Sequence, residues 1–247
     1  MDASLQRRTT DHGRVYTDLD SIFLPSVTTV LDELPTPEGI KYWKKKYDGT
    51  GGNEHWEDIL QYKSNRGTLI HYHLLNEFSD EDIGGRNETD STEQLKLEGN
   101  WERYENEESF AVNAWPTIKE MRGITHDSVI DVECFVTNTD IGYAGQFDLL
   151  YVDKNSNLVL SDLKTSKGVY DKHKLQLTAY ENALNIEIDV LEVIRIQPDN
   201  QVWEVSHDSH WDEDRDDLWE EFVSLRNGMT NVEEEFSKIA DEGIDDG

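Results

Sequence analysis

The sequence predicts an α/β fold: a mixed β-sheet flanked by helices, with an N-terminal helical segment. Three observations lead there. Strand-like runs rich in apolar, aromatic and β-branched residues fill positions 128–164, after a set of helical runs. A helical run from 171, ending near 183–185, then separates them from a strand pair at 190–196 and 202–205. A right-handed crossover through that helix sets the 190–196 strand parallel to a core strand.

The elements follow in order. Residues 1–20 are polar and are expected to form a mobile leader. Ser26 is placed to cap a short helix, and the break at Pro35-Thr36-Pro37 starts another. That second helix carries Lys41, Trp43, Lys44, Lys45, Lys46 and Tyr47, the densest basic cluster in the chain. It reads either as a solvated face or as a contact to nucleic-acid phosphates and bases. Residues 48–53 form a glycine-rich loop. A helix over 56–78 carries His71. Residues 79–100 are acidic and aperiodic, and are expected to be a surface loop. A helix over 101–122 is kinked or split by Pro116 and stopped by Gly123. Residues 211–226 are a final amphipathic helix, and 231–247 an acidic tail. Residues 21–230 are one domain, with an N-terminal helical region over 21–125 and a core over about 66–205.

Composition restricts the setting. The chain has 53 acidic and 23 basic residues and a formal net charge of −30. Nucleic-acid binders ordinarily carry a basic patch. Either nucleic acid is not the substrate, or the acidic surface is an adaptation to molar salt, where the Debye length falls to about 3 Å. Low lysine content and the spread of Asp and Glu along the chain favour salt adaptation. Seven Trp and ten Tyr argue against an acidic disordered chain. The first residues are polar and no apolar run reaches about 18 residues, so the expected location is the cytoplasm. Cys134 is alone, which excludes a disulfide framework.

The residues that carry chemistry converge on one hairpin. Gly145-Gln146-Phe147-Asp148-Leu149-Leu150-Tyr151-Val152 reads as a strand, Asp153-Lys154-Asn155-Ser156-Asn157 as its turn, and Leu158-Val159-Leu160-Ser161-Asp162-Leu163-Lys164 as the return strand. Folding about Asn155 sets Asp148 opposite Asp162, and Lys164 shares a face with Asp162. Two carboxylates suit a hard divalent cation such as Mg²⁺ or Mn²⁺, and a lysine beside them suits a phosphate or an attacking water. The plainer reading is a set of solvent-facing strand residues near a turn. Outside the hairpin, His71 ends the run Gly67-Thr68-Leu69-Ile70-His71, and Gln176 and Tyr180 lie four apart on one helix face. Glu133 lies on the strand before the hairpin and is a further candidate.

In this order, Gly67 to His71, Gly145 to Asp148, Asp162 to Lys164 and Gln176 to Tyr180, the motifs resemble the RecB-type branch of the PD-(D/E)xK nucleases. They span residues 66–181, about half the chain. Upstream, Leu24-Pro25-Ser26-Val27-Thr28-Thr29-Val30-Leu31 and Ile40-Lys41-Tyr42-Trp43-Lys44 are similar to the N-terminal segment of phage RecB-like exonucleases and of the mitochondrial genome maintenance exonuclease. The resemblance implies a restriction-endonuclease-like core and metal-assisted hydrolysis of DNA, with exonuclease action on single-stranded ends or flaps in replication, recombination or repair. It implies Mg²⁺ or Mn²⁺ held by His71, Asp148, Asp162 and the Leu163 carbonyl. It gives Lys164 the role of positioning or helping to deprotonate the nucleophile, and makes Gln176 and Tyr180 groove-lining residues. Trp43, Lys44 and Lys45 are the expected strand contacts. Several relatives hold an iron–sulfur cluster with four cysteines; one cysteine cannot. With the charge, the resemblance implies an origin in a halophilic archaeon or its virus, the cytoplasm then being that of the host. Two rivals stay open: a catalytically silent nucleic-acid-binding module of the same fold, and a divalent-ion-binding interaction protein without nuclease activity.

Overall fold

Alternating apolar residues and a self-capping turn shape the centre of the molecule. In the computed structural model, which describes residues 6–10, 13–17, 23–50, 52, 54–79, 83 and 85–229, strands β4 (Val129–Asn138), β5 (Tyr143–Val152) and β6 (Leu158–Lys164) form an antiparallel meander. The β5–β6 turn is held by Asp153, whose Oδ1 accepts from the Asn155 and Asn157 N–H groups at 2.8 and 2.9 Å. The resulting register sets Leu149 opposite Ser161 and Val152 opposite Leu158. The pairing stops at Leu149; extended by one residue, the same register would set Asp148 opposite Asp162, the alignment that folding about Asn155 predicts.

Helix α6 (Asp171–Leu184) crosses from β6 to β7 (Val190–Gln197), which pairs parallel to β6; β8 (Val202–His207) then adds antiparallel. The five-stranded mixed sheet has the order β4-β5-β6-β7-β8 and is covered on both faces. Leu150, Leu160, Leu191 and Val193 pack with α6, with α1 (Val27–Leu31) and with α7 (Arg215–Gly228). Tyr151, Val159, Ile194 and Ile196 pack with α3 (Trp56–Leu75) and α5 (Trp101–Arg122). This helix–sheet–helix layering is the predicted α/β architecture, preceded by its helical segment, and is consistent with a restriction-endonuclease-like core. No described helix is long and apolar enough to cross a membrane.

Ser26 caps α1, its Oγ accepting from Thr29 N–H at 3.0 Å. Helix α2 (Glu38–Lys46) follows the proline break. Helix α5 runs unbroken through Pro116 and stops at Gly123, whose φ of 79° suits glycine.

Three expectations are corrected. The expected leader contains β1 (Gln6–Thr10) and β2 (Gly13–Thr17), which with β3 (Phe23–Pro25) make a small antiparallel sheet; the rest of positions 1–20 lies outside the described residues. Its traces in the sequence include Val15, Tyr16 and Leu24, which are buried, and Tyr16 meets Phe135 of β4 edge-on at 5.5 Å. Most of the expected loop at 79–100 is helix α4 (Gly85–Leu97). It docks through the fully buried Leu95 and is braced by polar pairs such as Gln94–Glu98, a pattern with too few apolar residues to register as periodic. The last helix begins at Arg215 rather than 211, because Asp214 caps it by accepting from Asp216 N–H at 2.9 Å. The expected acidic tail at 231–247 lies outside the described residues.

The start of α6 depends on a neutral histidine. His173 Nδ1 accepts from Tyr170 N–H at 3.3 Å, closing a capping box. Burial, helped by Lys164 and Lys172, pushes the His173 imidazole down to about 3. In the unfolded chain its pKa returns to about 6.5. Between those values the unfolded chain binds a proton that the fold refuses, so stability falls as pH drops through 6.5 toward 3. The slope from this one group reaches at most about 1.4 kcal/mol per pH unit. His173→Gln keeps a capping side chain without the titration. Thermal melts across this window should show a shallower acid loss for the variant; parallel losses in both proteins would contradict the assignment.

Candidate metal centre

Helix α3 delivers His71, and three neighbouring strands deliver the acidic residues and the lysine. His71 Nδ1 lies 3.6 Å from Asp148 Oδ2 and 3.9 Å from Glu133 Oε1. Ligand atoms of His71, Glu133 and Asp148 all lie within 4.8 Å of one another. Asp148 is fixed from behind: its Oδ2 accepts from Leu163 N–H at 2.6 Å. Glu133 adopts φ 49° inside β4, a left-handed conformation that a strand residue other than glycine rarely takes. Its carbonyl accepts from Gln146 Nε2 at 2.9 Å. Such strain gathers at functional sites, where the surroundings hold it.

Asp162 is fully buried, and its Oδ2 lies 2.5 Å from Lys164 Nζ. The converging set is therefore His71–Glu133–Asp148, whereas the expected set contained Asp162 in place of Glu133. The hairpin register runs toward both aspartates, and Lys164 engages the second. Leu163, expected to ligate through its carbonyl, buries its side chain in the core and uses its N–H to orient Asp148.

The electrostatics follow from packing four charges together. Burial pulls His71 down, but Asp148, backed by Glu133, outweighs it and leaves His71 above its ordinary value. Burial raises Asp148, but His71, Lys164 and the Leu163 N–H together hold it below the usual carboxylate range. Asp162 is pushed up to about 6 by burial and by the like charge of Asp148, with Lys164 opposing. Burial lowers Lys164, but Asp162 and Asp148 overcome it and keep the ammonium above its ordinary value. Lys164 is thus a fixed cation, suited to holding an anion or a water rather than taking up a proton.

A cavity of about 810 Å³ opens over the cluster, walled by His71, Glu133, Asp148, Lys164, Gln176 and Tyr180 among others. Gln176 Nε2 donates to the Tyr180 hydroxyl at 2.7 Å, so the two groove residues act as one unit. Gly145 makes room for them: a Cβ there would stand 2.4 Å from Tyr180 Cε1 and 3.1 Å from Val27 Cγ2. Tyr180 is buried and hydrogen-bonded, so it cannot yield cheaply. Gly145→Ala should lower stability by about 1–3 kcal/mol through overpacking, read as a drop in the thermal midpoint. An unchanged midpoint would show that Tyr180 moves freely.

Arg14 of β2 also lines this cavity, a contribution that sequence reading missed because it treated that segment as a leader. Its backbone is tied to α1 through Thr29 Oγ1, which accepts from Arg14 N–H at 2.9 Å and donates to its carbonyl at 2.7 Å. Trp43, Lys44 and Lys45 do not line the cavity. Trp43 is half-buried against Tyr47, with ring centroids 5.5 Å apart, and Lys44 Nζ sits 4.0 Å over the Trp56 ring. Part of this helix face is therefore spent on its own packing.

One imidazole nitrogen and two carboxylate oxygens at this spacing fit Mg²⁺ or Mn²⁺, and the imidazole favours Mn²⁺ over an all-oxygen site. No protein-family model matches the chain, and no curated protein does. Among solved structures, the crystal structure of SSO0001 is similar at 13% identity, covering 77% of this chain and 84% of that one; at a TM-score of 0.31 this likeness carries no argument.

Proposed function

We propose that this chain is a Mg²⁺- or Mn²⁺-dependent nuclease that hydrolyses DNA phosphodiester bonds, preferring single-stranded ends or flaps. The observation that carries the reading is the meeting of His71, Glu133 and Asp148 beside the Lys164 ammonium, inside one large cavity. His71, Glu133 and Asp148 would hold the ion, with Asp162 in reserve behind Lys164. When bound, the ion lowers the pKa of a coordinated water and neutralises phosphate charge.

The chain's own groups do the rest. Lys164, kept protonated by Asp162, presents a fixed positive charge to a phosphate oxygen or to the attacking water. The Leu163 N–H keeps Asp148 from rotating out of position. Gln176 and Tyr180 offer a polar edge and a ring to the strand lying in the cavity. The motif resemblance supports the same assignment and extends it to exonuclease action in replication, recombination or repair.

The net charge of −30 belongs to this reading as salt adaptation. In molar KCl the body of the protein repels DNA only at contact range, and counterion release contributes little to binding. Affinity then rests on direct contacts in the cavity, which favours strands whose bases are already unpaired. Isothermal calorimetry with Mn²⁺ in molar KCl tests the premise. One ion should bind the wild type and fail to bind a His71→Ala variant of unchanged thermal midpoint; equal binding by both would remove the metal site from this cluster.

A further inference from the structure

A second, smaller cavity of about 350 Å³ shares His71 and Lys164 with the first and extends between α3 and the loop after β6. Its wall carries Lys63, Arg66, Lys164 and Lys167 against one carboxylate, Asp199. That balance inverts the composition of the chain, in which acids outnumber bases 53 to 23. Two of these cations are already matched. Lys164 pairs with Asp162, and Arg66 donates to Glu107 and Asp199. Lys63 and Lys167 are not: among the described residues, no carboxylate comes within ion-pair distance of either.

Arg66 anchors the cavity wall. It is the largest fully buried side chain, and its Nη2 donates to the Thr165 carbonyl at 3.2 Å, tying α3 to the 165–167 loop. Its Nε is a buried donor without a hydrogen-bond acceptor. Burial and the nearby Lys167 hold the Lys63 ammonium below its ordinary value, although Asp199 opposes them. An anion between Lys63 and Lys167 would relieve that crowding. Ser64, Thr165 and Ser166 add hydroxyl groups to the same wall. The space admits a phosphate and several waters, each taking about 30 Å³ of liquid volume. A carboxylate-bearing ligand would gain less, since a phosphate offers more acceptor oxygens to two separated ammonium groups.

We propose that the cavity walled by Lys63, Arg66, Lys164 and Lys167 is a phosphate subsite, which takes a nucleic-acid phosphate next to the one held over the acidic cluster. This deepens the nuclease reading and rests on it for the identity of the strand. The shared wall of His71 and Lys164 makes the two phosphates neighbours, so the subsite sets the register of the strand relative to the cut.

Two arms test it. In the first, inorganic phosphate is titrated into the full-length, metal-free chain at constant molar KCl and followed by ³¹P NMR. Saturable binding is expected, weakened about tenfold or more in a Lys63→Gln/Lys167→Gln variant whose thermal midpoint is unchanged. The single variant Lys167→Gln, at an exposed position, should show an intermediate loss and guards against misfolding of the double variant. No saturable binding, or equal binding by wild type and variants, overturns the subsite. This arm needs neither metal nor cleavage, so it stays readable even if the chain cuts nothing. In the second arm, KM is compared on single strands bearing a 5′-phosphate, a 3′-phosphate or hydroxyls at both ends. A rise in the double variant confined to one phosphorylated strand assigns the subsite to a terminal phosphate. An equal rise on all three assigns it to an internal phosphodiester, and no rise on any overturns it.

Discussion

Asp148→Asn should lower DNA cleavage on the order of 10³-fold while leaving the fold in place. Asp148 joins several parts of the centre. Its Oδ2 faces His71 at 3.6 Å, accepts from Leu163 N–H at 2.6 Å, and shares a ligand cluster with Glu133. Asparagine keeps an oxygen for the Leu163 N–H but loses the charge that a cation needs. It also removes the neighbour that draws His71 up and pushes Asp162 up. Circular dichroism and the thermal midpoint without metal should stay near wild type. Addition of Mn²⁺ should then raise the midpoint of the wild type alone, since a ligand that binds only the folded state stabilises it. Cleavage at a near-normal rate in the variant would remove Asp148 from the chemistry.

Dilute buffer should loosen the protein, beginning at α7. Seven carboxylates crowd residues 212–221, with Arg215 the single cation among them. Arg215 is already committed to Asp208 and Glu181. The helix is held to the core mainly by Leu218 and Phe222, worth about 1.5–3 kcal/mol each when fully buried. At 1 M salt the Debye length of about 3 Å confines repulsion to touching charges; at 0.01 M it grows to about 30 Å and every carboxylate on the helix acts on the others. Hydrogen exchange should therefore accelerate in α7 first as KCl is withdrawn, followed by loss of the cooperative thermal transition. Full cooperative structure in dilute buffer, with α7 protected, would argue against salt adaptation.

Much of this centre was legible in the sequence, for physical reasons that differ by residue. The β5–β6 register could be read because Asp153 and two asparagines define the turn and because the flanking apolar residues tolerate no slip. The crossover through α6 followed from chirality once the strands were placed. Gln176 and Tyr180 reach the cavity because helical spacing fixes the face they share, whereas His71, on a different helix, was marked by the motif resemblance. Glu133 stood only as a further candidate, because its entry depends on a positive φ that no local sequence signal announces. The Asp162–Lys164 ion pair depends on burial, which alternation alone does not give. The β1–β2–β3 sheet and α4 were hidden by polarity: among the described side chains, the apolar anchors are Val15, Tyr16 and Leu24 in one and Leu95 in the other. Lys63 and Lys167 drew no attention because they lie about a hundred positions apart and meet only through the fold.

The most direct test incubates labelled single-stranded and duplex DNA with the protein in molar KCl, with Mn²⁺, with EDTA, and with Asp148→Asn in place of wild type. The expected result is Mn²⁺-dependent cleavage by wild type, faster on single strands, and abolished by EDTA and by the substitution. Intact DNA under every condition, with Mn²⁺ bound by a folded wild-type protein, would contradict the nuclease reading and leave a cation-binding protein of the same fold.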